Sequence, residues 1–93
     1  MYLGKVIGGV ESRMRAAGME SHRLVVIQPL DFDQRPVRWT IVAVDVVGAT
    51  VGSLVLYEEG REAANPFHSS LPVDACVAAI VESYQYAGTQ TSA

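Results

Sequence analysis

Two glycines four residues apart, Gly48 and Gly52, follow an apolar run of the sequence. A glycine-rich loop behind a strand can hold the phosphates of a dinucleotide if a helix begins directly after it, because the helix N-terminus binds the phosphates. Residues 54–57, Leu-Val-Leu-Tyr, instead favour a second strand. The sequence therefore predicts a structural corner between two strands and no nucleotide site.

Asp45 is the carboxylate at the start of this corner. A carboxylate beside apolar strand residues could act as a catalytic acid, or it could accept hydrogen bonds from backbone N–H groups of the turn. We expect the second role, in which Asp45 fixes a structural corner that it forms with Gly48, Ala49, Thr50 and Gly52.

The other residues with metal-binding or nucleophilic chemistry are isolated along the chain. Asp31 and Asp33 lack the further ligands and the glycine of a calcium loop, so they favour a solvated turn. His22 and His68 have no second ligand at metal-binding spacing. The single cysteine, Cys76, lies in an apolar run, where we expect a reduced and unreactive thiol. These patterns predict no catalytic residue, no cofactor site and no metal site.

The charge balance argues against nucleic acid as a partner. The chain has seven Lys and Arg against ten Asp and Glu, whereas nucleic-acid-binding proteins carry basic patches. Tyr84 and Tyr86 could stack on bases in a barrel of the OB type, although such tyrosines are also common in subunit interfaces. We expect no signal peptide and no membrane helix, and one cysteine fits a reducing cytoplasm.

Apolar runs bounded by turn signals predict five short strands, at residues 2–10, 22–30, 37–44, 53–57 and within 73–86. Residues 58–65 favour a short helix, and Pro72 and Asp74 form the expected turn before the last strand. The pattern predicts a mainly β protein, a small and partly open five-stranded barrel. We expect one domain at residues 1–86 and a C-terminal tail at residues 87–93.

Several of the predicted strands are apolar on both faces. In residues 22–30, Leu24 and Val26 share one face, while Val25 and Ile27 share the other. Hydrophobic residues make up 49% of the 93 residues, yet a monomer of this size buries only roughly 60–65% of the surface of its unfolded chain. We therefore expect one face to fill the barrel and the other to lie in a subunit interface.

Five segments of the sequence resemble, in order and spacing, the EutN/CcmL family of bacterial microcompartment vertex proteins. They are MYLGKVIG at 1–8, LVVIQPLD at 24–31, AVDVVGATVG at 43–52, PVDA at 72–75 and AIVE at 79–82. The resemblance covers about residues 1–84. Thr50 stands where the family commonly has glycine, and residues 60–65 differ from the usual sequence, so the type of shell stays open.

The resemblance implies an OB-like β-barrel with one short helix that assembles as a pentameric ring. Such rings cap the vertices of protein shells in the bacterial cytoplasm, beside hexameric and pseudohexameric shell proteins, and the family has no catalytic residues to transfer. The corner at residues 45–52 is then a possible lining of the ring centre. Two alternatives stay open, an OB-type nucleic-acid-binding module and a small enzyme of an encapsulated pathway.

Overall fold

Seven β-strands make up the regular structure in the part of the chain that the computed structural model describes, which is residues 1–10, 23–60, 75–86 and 88–92. The strands are β1 (Tyr2–Val10), β2 (Arg23–Pro29), β3 (Ile41–Asp45), β4 (Leu54–Glu59), β5 (Ala75–Ile80), β6 (Ser83–Tyr86) and β7 (Thr89–Ser92).

The first five strands form a closed barrel in the order β1-β2-β3-β5-β4. Neighbouring strands are antiparallel except β3 and β5, which run parallel through the pairs Val44–Cys76 and Asp45–Val77. The predicted mainly β fold with a five-stranded barrel is confirmed. The barrel is closed where the sequence suggested a partly open one, because the parallel pair joins the two halves of the sheet.

The interior of the barrel is filled by alternate residues of the strands. In β2, Val25 and Ile27 are completely buried, whereas Leu24 and Val26 are only half-buried on the outer face. Tyr57 of β4 is the largest fully buried side chain. Burial of one large apolar side chain such as Ile27 stabilises the fold by about 1.5–3 kcal/mol. The inward-facing side chains of the strands are therefore the main source of barrel stability.

Gly4 lets the barrel wall curl tightly against its own core. A Cβ added at Gly4 would lie 2.4 Å from Cγ2 of Ile27 and 3.1 Å from Cε1 of Tyr57. Ile7 forms a bulge in the pairing of β1 with β2, which shifts register between Val6 and Gly8. Bends in this glycine-rich strand have a physical reason, because bulges and glycines are where small barrels turn their corners.

The third and fourth strands differ in length from their predicted ranges. The sequence predicts a strand from residue 37, but β3 begins at Ile41, because a bridge between Leu30 and Pro36 first closes a turn. The fourth strand continues to Glu59, so Glu58 and Glu59, at the start of the predicted helix, belong to β4. The rest of that predicted helix, at residues 61–65, and the predicted turn residues Pro72 and Asp74 lie outside the described residues.

The C-terminal segment forms a hairpin beside the barrel. The single strand predicted within residues 73–86 is two strands, β5 and β6, and β7 pairs with β6 in the segment for which the sequence predicts a tail. The hydroxyl of Tyr84 donates to the carbonyl oxygen of Phe32, and Nε2 of Gln34 donates to the carbonyl of Ser92 at 3.1 Å. The hairpin is therefore held against the turn that follows β2.

Candidate functional site

The corner between β3 and β4 is organised by the Asp45 carboxylate, whose side chain is only 1% exposed. Its Oδ1 accepts hydrogen bonds from the backbone N–H groups of Val47 at 3.0 Å and Gly48 at 3.1 Å. A carboxylate at the end of a strand commonly holds the following turn in this way. Because both contacts lie on the same side-chain oxygen, the carboxylate sets the direction in which the chain leaves β3.

Arg23 at the start of β2 binds the other side of the same carboxylate. Its Nη1 lies 3.2 Å from Oδ2 of Asp45 and also donates to the carbonyl oxygen of Ala49. The two residues face each other because Arg23 pairs with Asp45 in the antiparallel register of β2 and β3. One guanidinium thus ties the strand end to the middle of the corner, while the buried Ala49 methyl packs in the barrel core.

The second half of the corner is a tight turn that is hydrogen-bonded to β1. The N–H of Ser53 donates to the carbonyl of Thr50 at 2.9 Å, and Gly52 has φ +96°, the left-handed conformation that a type II turn requires at this position. The N–H of Gly52 donates to the carbonyl of Val6 at 2.7 Å. Gly48 also has a positive φ, +83°. The corner is consequently a rigid loop with both glycines in conformations that favour glycine.

The polar groups of this corner bond one another. Asp45 is buried and accepts hydrogen bonds from three donors of its own chain. Cys76 is also buried; burial, and to a lesser extent the charge of Asp45, raises the pKa of its thiol above the usual 9.0. A raised pKa leaves little of the nucleophilic thiolate at neutral pH. Among the described residues, no group of three or more His, Cys, Asp or Glu side chains could hold a metal ion.

A second polar cluster, for which the sequence gives no prediction, surrounds Arg38. Its Nη2 donates to the hydroxyl oxygen of Tyr57 at 2.7 Å and to a carboxylate oxygen of Glu59, and the guanidinium lies 5.3 Å from the ring centroid of Tyr2. Burial raises the pKa of Tyr57, with Arg38 acting in the opposite direction. Arg38 therefore satisfies the hydroxyl of the largest core side chain at one end of the barrel.

The arginines of the described residues are paired with carboxylates and do not form an open positive groove. Arg23, Arg35 and Arg38 each lie within ion-pair distance of a carboxylate. The backbone N–H of Arg35 and other contacts in the same turn hold the pKa of Asp31 below its usual value, as expected for a solvated turn. No helix of the described residues is long and apolar enough to cross a membrane.

The two tyrosines considered as base-stacking residues contact a phenylalanine of the same chain. The ring centroid of Phe32 lies 5.8 Å from that of Tyr84 and 5.3 Å from that of Tyr86. These distances are typical of packed aromatic pairs. The cluster attaches the C-terminal hairpin to the body of the molecule. His22 and His68 lie outside the described residues.

Large apolar side chains are unusually exposed on the outer surface. Trp39 is 90% exposed, and Val51 at the tip of the corner is 64% exposed. Others in the same class are Met1, Tyr2, Ile7, Phe32, Val37, Val42, Val46, Val47, Ile80 and Tyr86. On β2 and β3 two apolar residues are neighbours, since the half-buried Val26 pairs with the exposed Val42, and contiguous apolar surface of this kind is typical of a face that binds other protein subunits.

The fold and the corner together define a class of small OB-like β-barrel with an apolar outer surface and a rigid glycine corner. The family model for ethanolamine utilisation protein EutN/carboxysome matches residues 1–82. The chain belongs to this EutN/CcmL family.

Relatives and solved structures of this family match nearly the whole chain. The microcompartment shell vertex protein EutN of Salmonella typhimurium is 34% identical over 83 residues, 88% of this chain and 84% of the relative. GrpN, a pentameric microcompartment shell protein of Rhodospirillum rubrum, is similar in structure with TM-score 0.84 at 35% identity, covering 92% of this chain and all of that one. CcmL of Gloeobacter violaceus gives TM-score 0.90 at 30% identity, covering 99% of this chain and 97% of that one.

The sequence predicts the corner residues, but it does not predict their partner Arg23. Arg23 escapes prediction because its role depends on strand register, which places it opposite Asp45 although 22 positions separate them. Its position at the start of an apolar strand, matched by an acid at the end of the next strand, was the available signal. Arg38 and Trp39 carry no comparable signal, because both lie in a segment that the sequence predicts to be a strand.

Proposed function

We propose that this chain forms a homopentameric ring that occupies the vertices of a bacterial microcompartment shell in the cytoplasm. Membership of the EutN/CcmL family over residues 1–82 carries the proposal. The relatives EutN and GrpN are named as shell vertex proteins, and the GrpN structure is that of a pentameric shell protein. A ring of this kind acts by geometry, because a layer of hexagonal tiles closes into a polyhedron only if five-fold positions are supplied.

The apolar outer surface supports assembly. Exposed side chains such as Trp39 and Val42 are unfavourable in water, and a ring buries them against the neighbouring copy. A closed ring uses head-to-tail contacts in which one patch meets a different patch of the next subunit. Hexameric and pseudohexameric shell proteins are the partners proposed for the outer rim of the ring.

The corner of Asp45, Gly48, Ala49, Thr50 and Gly52 has a structural part in this proposal. Its hydrogen bonds to Arg23 and β1 keep the loop rigid, and a rigid loop at the same place in five copies suits the lining of a ring centre. We propose that the protein acts without catalysis. Its buried, fully bonded Asp45 and the raised pKa of the Cys76 thiol are consistent with that role.

Deletion of the gene tests the proposed function in the cell. The expected result is open, elongated or leaky shells in electron micrographs, with the enclosed enzymes still active in lysate, because a vertex supplies closure and no chemistry. The control is complementation with the intact gene. Closed polyhedra in a deletion strain without a related vertex protein would contradict the proposal. Loss of an enzymatic step in lysate, restored by the purified protein, would favour an enzyme.

A further inference from the structure

The C-terminal hairpin of β6 and β7 is a separate piece of sheet beside the closed barrel. Its strands pair with each other, in the register that runs from Ser83–Ser92 to Tyr86–Thr89, and with no described strand of the barrel. Only residues 81–82 lie between β5 and β6. A two-stranded hairpin is at best marginally stable alone in water, so this one depends on the contacts that hold it to the rest of the chain.

The turn that follows β2 supplies those contacts. The ring centroid of Phe32 lies 5.8 Å from that of Tyr84 and 5.3 Å from that of Tyr86, and the carbonyl oxygen of Phe32 accepts from the hydroxyl of Tyr84. Two positions further on, Nε2 of Gln34 donates to the carbonyl oxygen of Ser92 at 3.1 Å. Within the described residues, the hydrogen bonds and ring contacts between the hairpin and the rest of the chain therefore all involve Phe32 or Gln34.

Asp31 gives this turn its shape. Its Oδ1 accepts from the N–H groups of Asp33 and Arg35, both at 2.9 Å, and its carbonyl oxygen accepts from the N–H of Gln34 at 2.9 Å. Gln34 has φ +62° and is the one non-glycine residue with a positive φ in the described part of the chain. Residues held in such a conformation by their surroundings are found at clamps and switch regions. We call residues 31–35 the latch.

The hairpin faces the barrel wall across two open cavities. The lining of the first, of ≈ 250 Å³, includes Leu3 of the wall and Tyr86 of the hairpin. The lining of the second, of ≈ 470 Å³, includes Leu3 and Leu56 of the wall and Tyr84 of the hairpin, and Phe32 lines both cavities. Closely packed protein surfaces leave few voids larger than a water molecule, so the hairpin is packed loosely on the wall and the latch is its main attachment.

We propose that the hairpin is a strap that detaches from the barrel as one unit, and that the latch holds it in place. Detachment leaves the five-stranded ladder of the barrel intact, because β6 and β7 are not part of that ladder. It uncovers the apolar wall around Leu3 and Leu56. The chain then has two outer surfaces, one covered by the strap and one with this wall open to a neighbouring subunit. The strap and the latch lie within one chain, so they go beyond the proposed ring and do not depend on it.

Hydrogen exchange of the full-length protein, measured by mass spectrometry of its peptides, tests the strap. The amides of residues 83–92 are expected to exchange at least about tenfold faster than those of β2 and β3, because opening of the strap does not require unfolding of the barrel. Exchange of residues 83–92 as slow as that of β2 would overturn the proposal, since the hairpin would then open only together with the barrel.

Asp31→Ala and Phe32→Ala test the latch by the same measurement. Each is expected to speed the exchange of residues 83–92 by about tenfold, the size expected for loss of one or two hydrogen bonds, and to leave the exchange of β3 and β5 unchanged. If Asp31→Ala fails to fold, Phe32→Ala decides.

Asp33→Ala is the matched control for the latch. Asp33 lies in the same turn and its carboxylate pairs with Arg35 at 3.0 Å, but that carboxylate accepts from no backbone N–H of the turn and contacts no described residue of the hairpin. The exchange of residues 83–92 in Asp33→Ala should therefore match that of the wild type. Equal exchange in all three variants, or faster exchange throughout the barrel in Phe32→Ala, would overturn the proposal.

Discussion

The Asp45 carboxylate gives the turn after β3 hydrogen-bond partners that water would otherwise supply. Two backbone N–H groups and Arg23 converge on it, so the turn has one favoured conformation instead of several. The nearby glycines add to this because both have positive φ. At this scale, the residue types of the corner could be predicted from the sequence. The ion pair with Arg23 could not, because it depends on the register between β2 and β3.

Gly48→Val is expected to lower stability and the yield of assembled protein. A glycine can be needed at such a corner because φ is positive or because another backbone lies close. The structure has φ +83° and no heavy atom within 4 Å of an added Cβ, so the backbone conformation alone is responsible. A left-handed conformation costs an L residue roughly 1–2 kcal/mol, with more strain for a β-branched one. Thermal melting at fixed protein concentration measures the loss, at about 4–8 °C for each kcal/mol.

Gly8→Ala is the matched control for the corner glycine. An added Cβ at Gly8 also has no heavy atom within 4 Å, and Gly8 is not among the glycines with positive φ. Gly8→Ala should therefore melt close to the wild-type temperature. Equal melting temperatures for Gly48→Val and wild type would show that the corner tolerates a side chain.

Stability should fall as the pH rises above about 9. The pKa values of Cys76 and Tyr57 are raised in the folded protein, mainly by burial, from ordinary values of 9.0 and 10.0. Below those ordinary values both states keep the proton; above them the unfolded chain loses it first, which favours unfolding. Urea denaturation at pH 8, 9, 10 and 11 measures the trend.

Cys76→Ala isolates the cysteine part of this pH dependence. The variant lacks the thiol, so the decrease that begins near pH 9 should be smaller than in the wild type. Labelling of the native protein by a thiol reagent should also be much slower than labelling in urea. Fast labelling of the folded protein at pH 8 would contradict both the burial of Cys76 and the direction of its pKa shift.

At the scale of elements, alternating apolar residues suffice to predict β1 with its observed bounds and β2 to within a residue or two. The late start of β3 could not be predicted, because Val37 and Trp39 have strand-forming side chains but their backbone leaves the sheet after the bridge at Pro36. The hairpin of β6 and β7 escapes prediction for a different reason. The turn between Tyr86 and Thr89 contains Gly88, which has φ +82°. In the sequence, this one glycine is the only indication of a turn, and the polar residues around it favour a tail.

Gly4→Ala should destabilise the barrel by about 1–3 kcal/mol, as expected for overpacking of a filled core. The added Cβ would lie 2.4 Å from Cγ2 of Ile27 and 3.2 Å from the carbonyl oxygen of Gln28, so the Ile27 side chain or the strand that carries it has to shift. Denaturant unfolding measures the change. The control is Gly9→Ala in the same strand, where the nearest atom, the carbonyl oxygen of Leu24, lies at 3.9 Å. Similar stability of the two variants would show that β1 is not tightly curled at Gly4.

At the scale of the whole molecule, the two-faced apolar strands of the sequence predict association with further copies of the chain. The structure places one of those faces in the core and leaves the other half-buried or exposed, as Val25 and Val26 illustrate. Such a surface supports obligate assembly, in which stability depends on protein concentration. The number of copies does not follow from one chain, since the same patches could join into rings of other sizes; the family relationship supplies the number five.

Native mass spectrometry of the purified protein tests the pentameric ring most directly. The expected result is a closed particle of about 50 kDa, five times the 10.0 kDa chain, that persists on dilution to low micromolar concentration. The same measurement on variants of the corner and of Trp39 compares their fraction of assembled protein with that of the wild type. A stable monomer of 10.0 kDa, or a hexamer, would contradict the ring of five on which the proposed function depends.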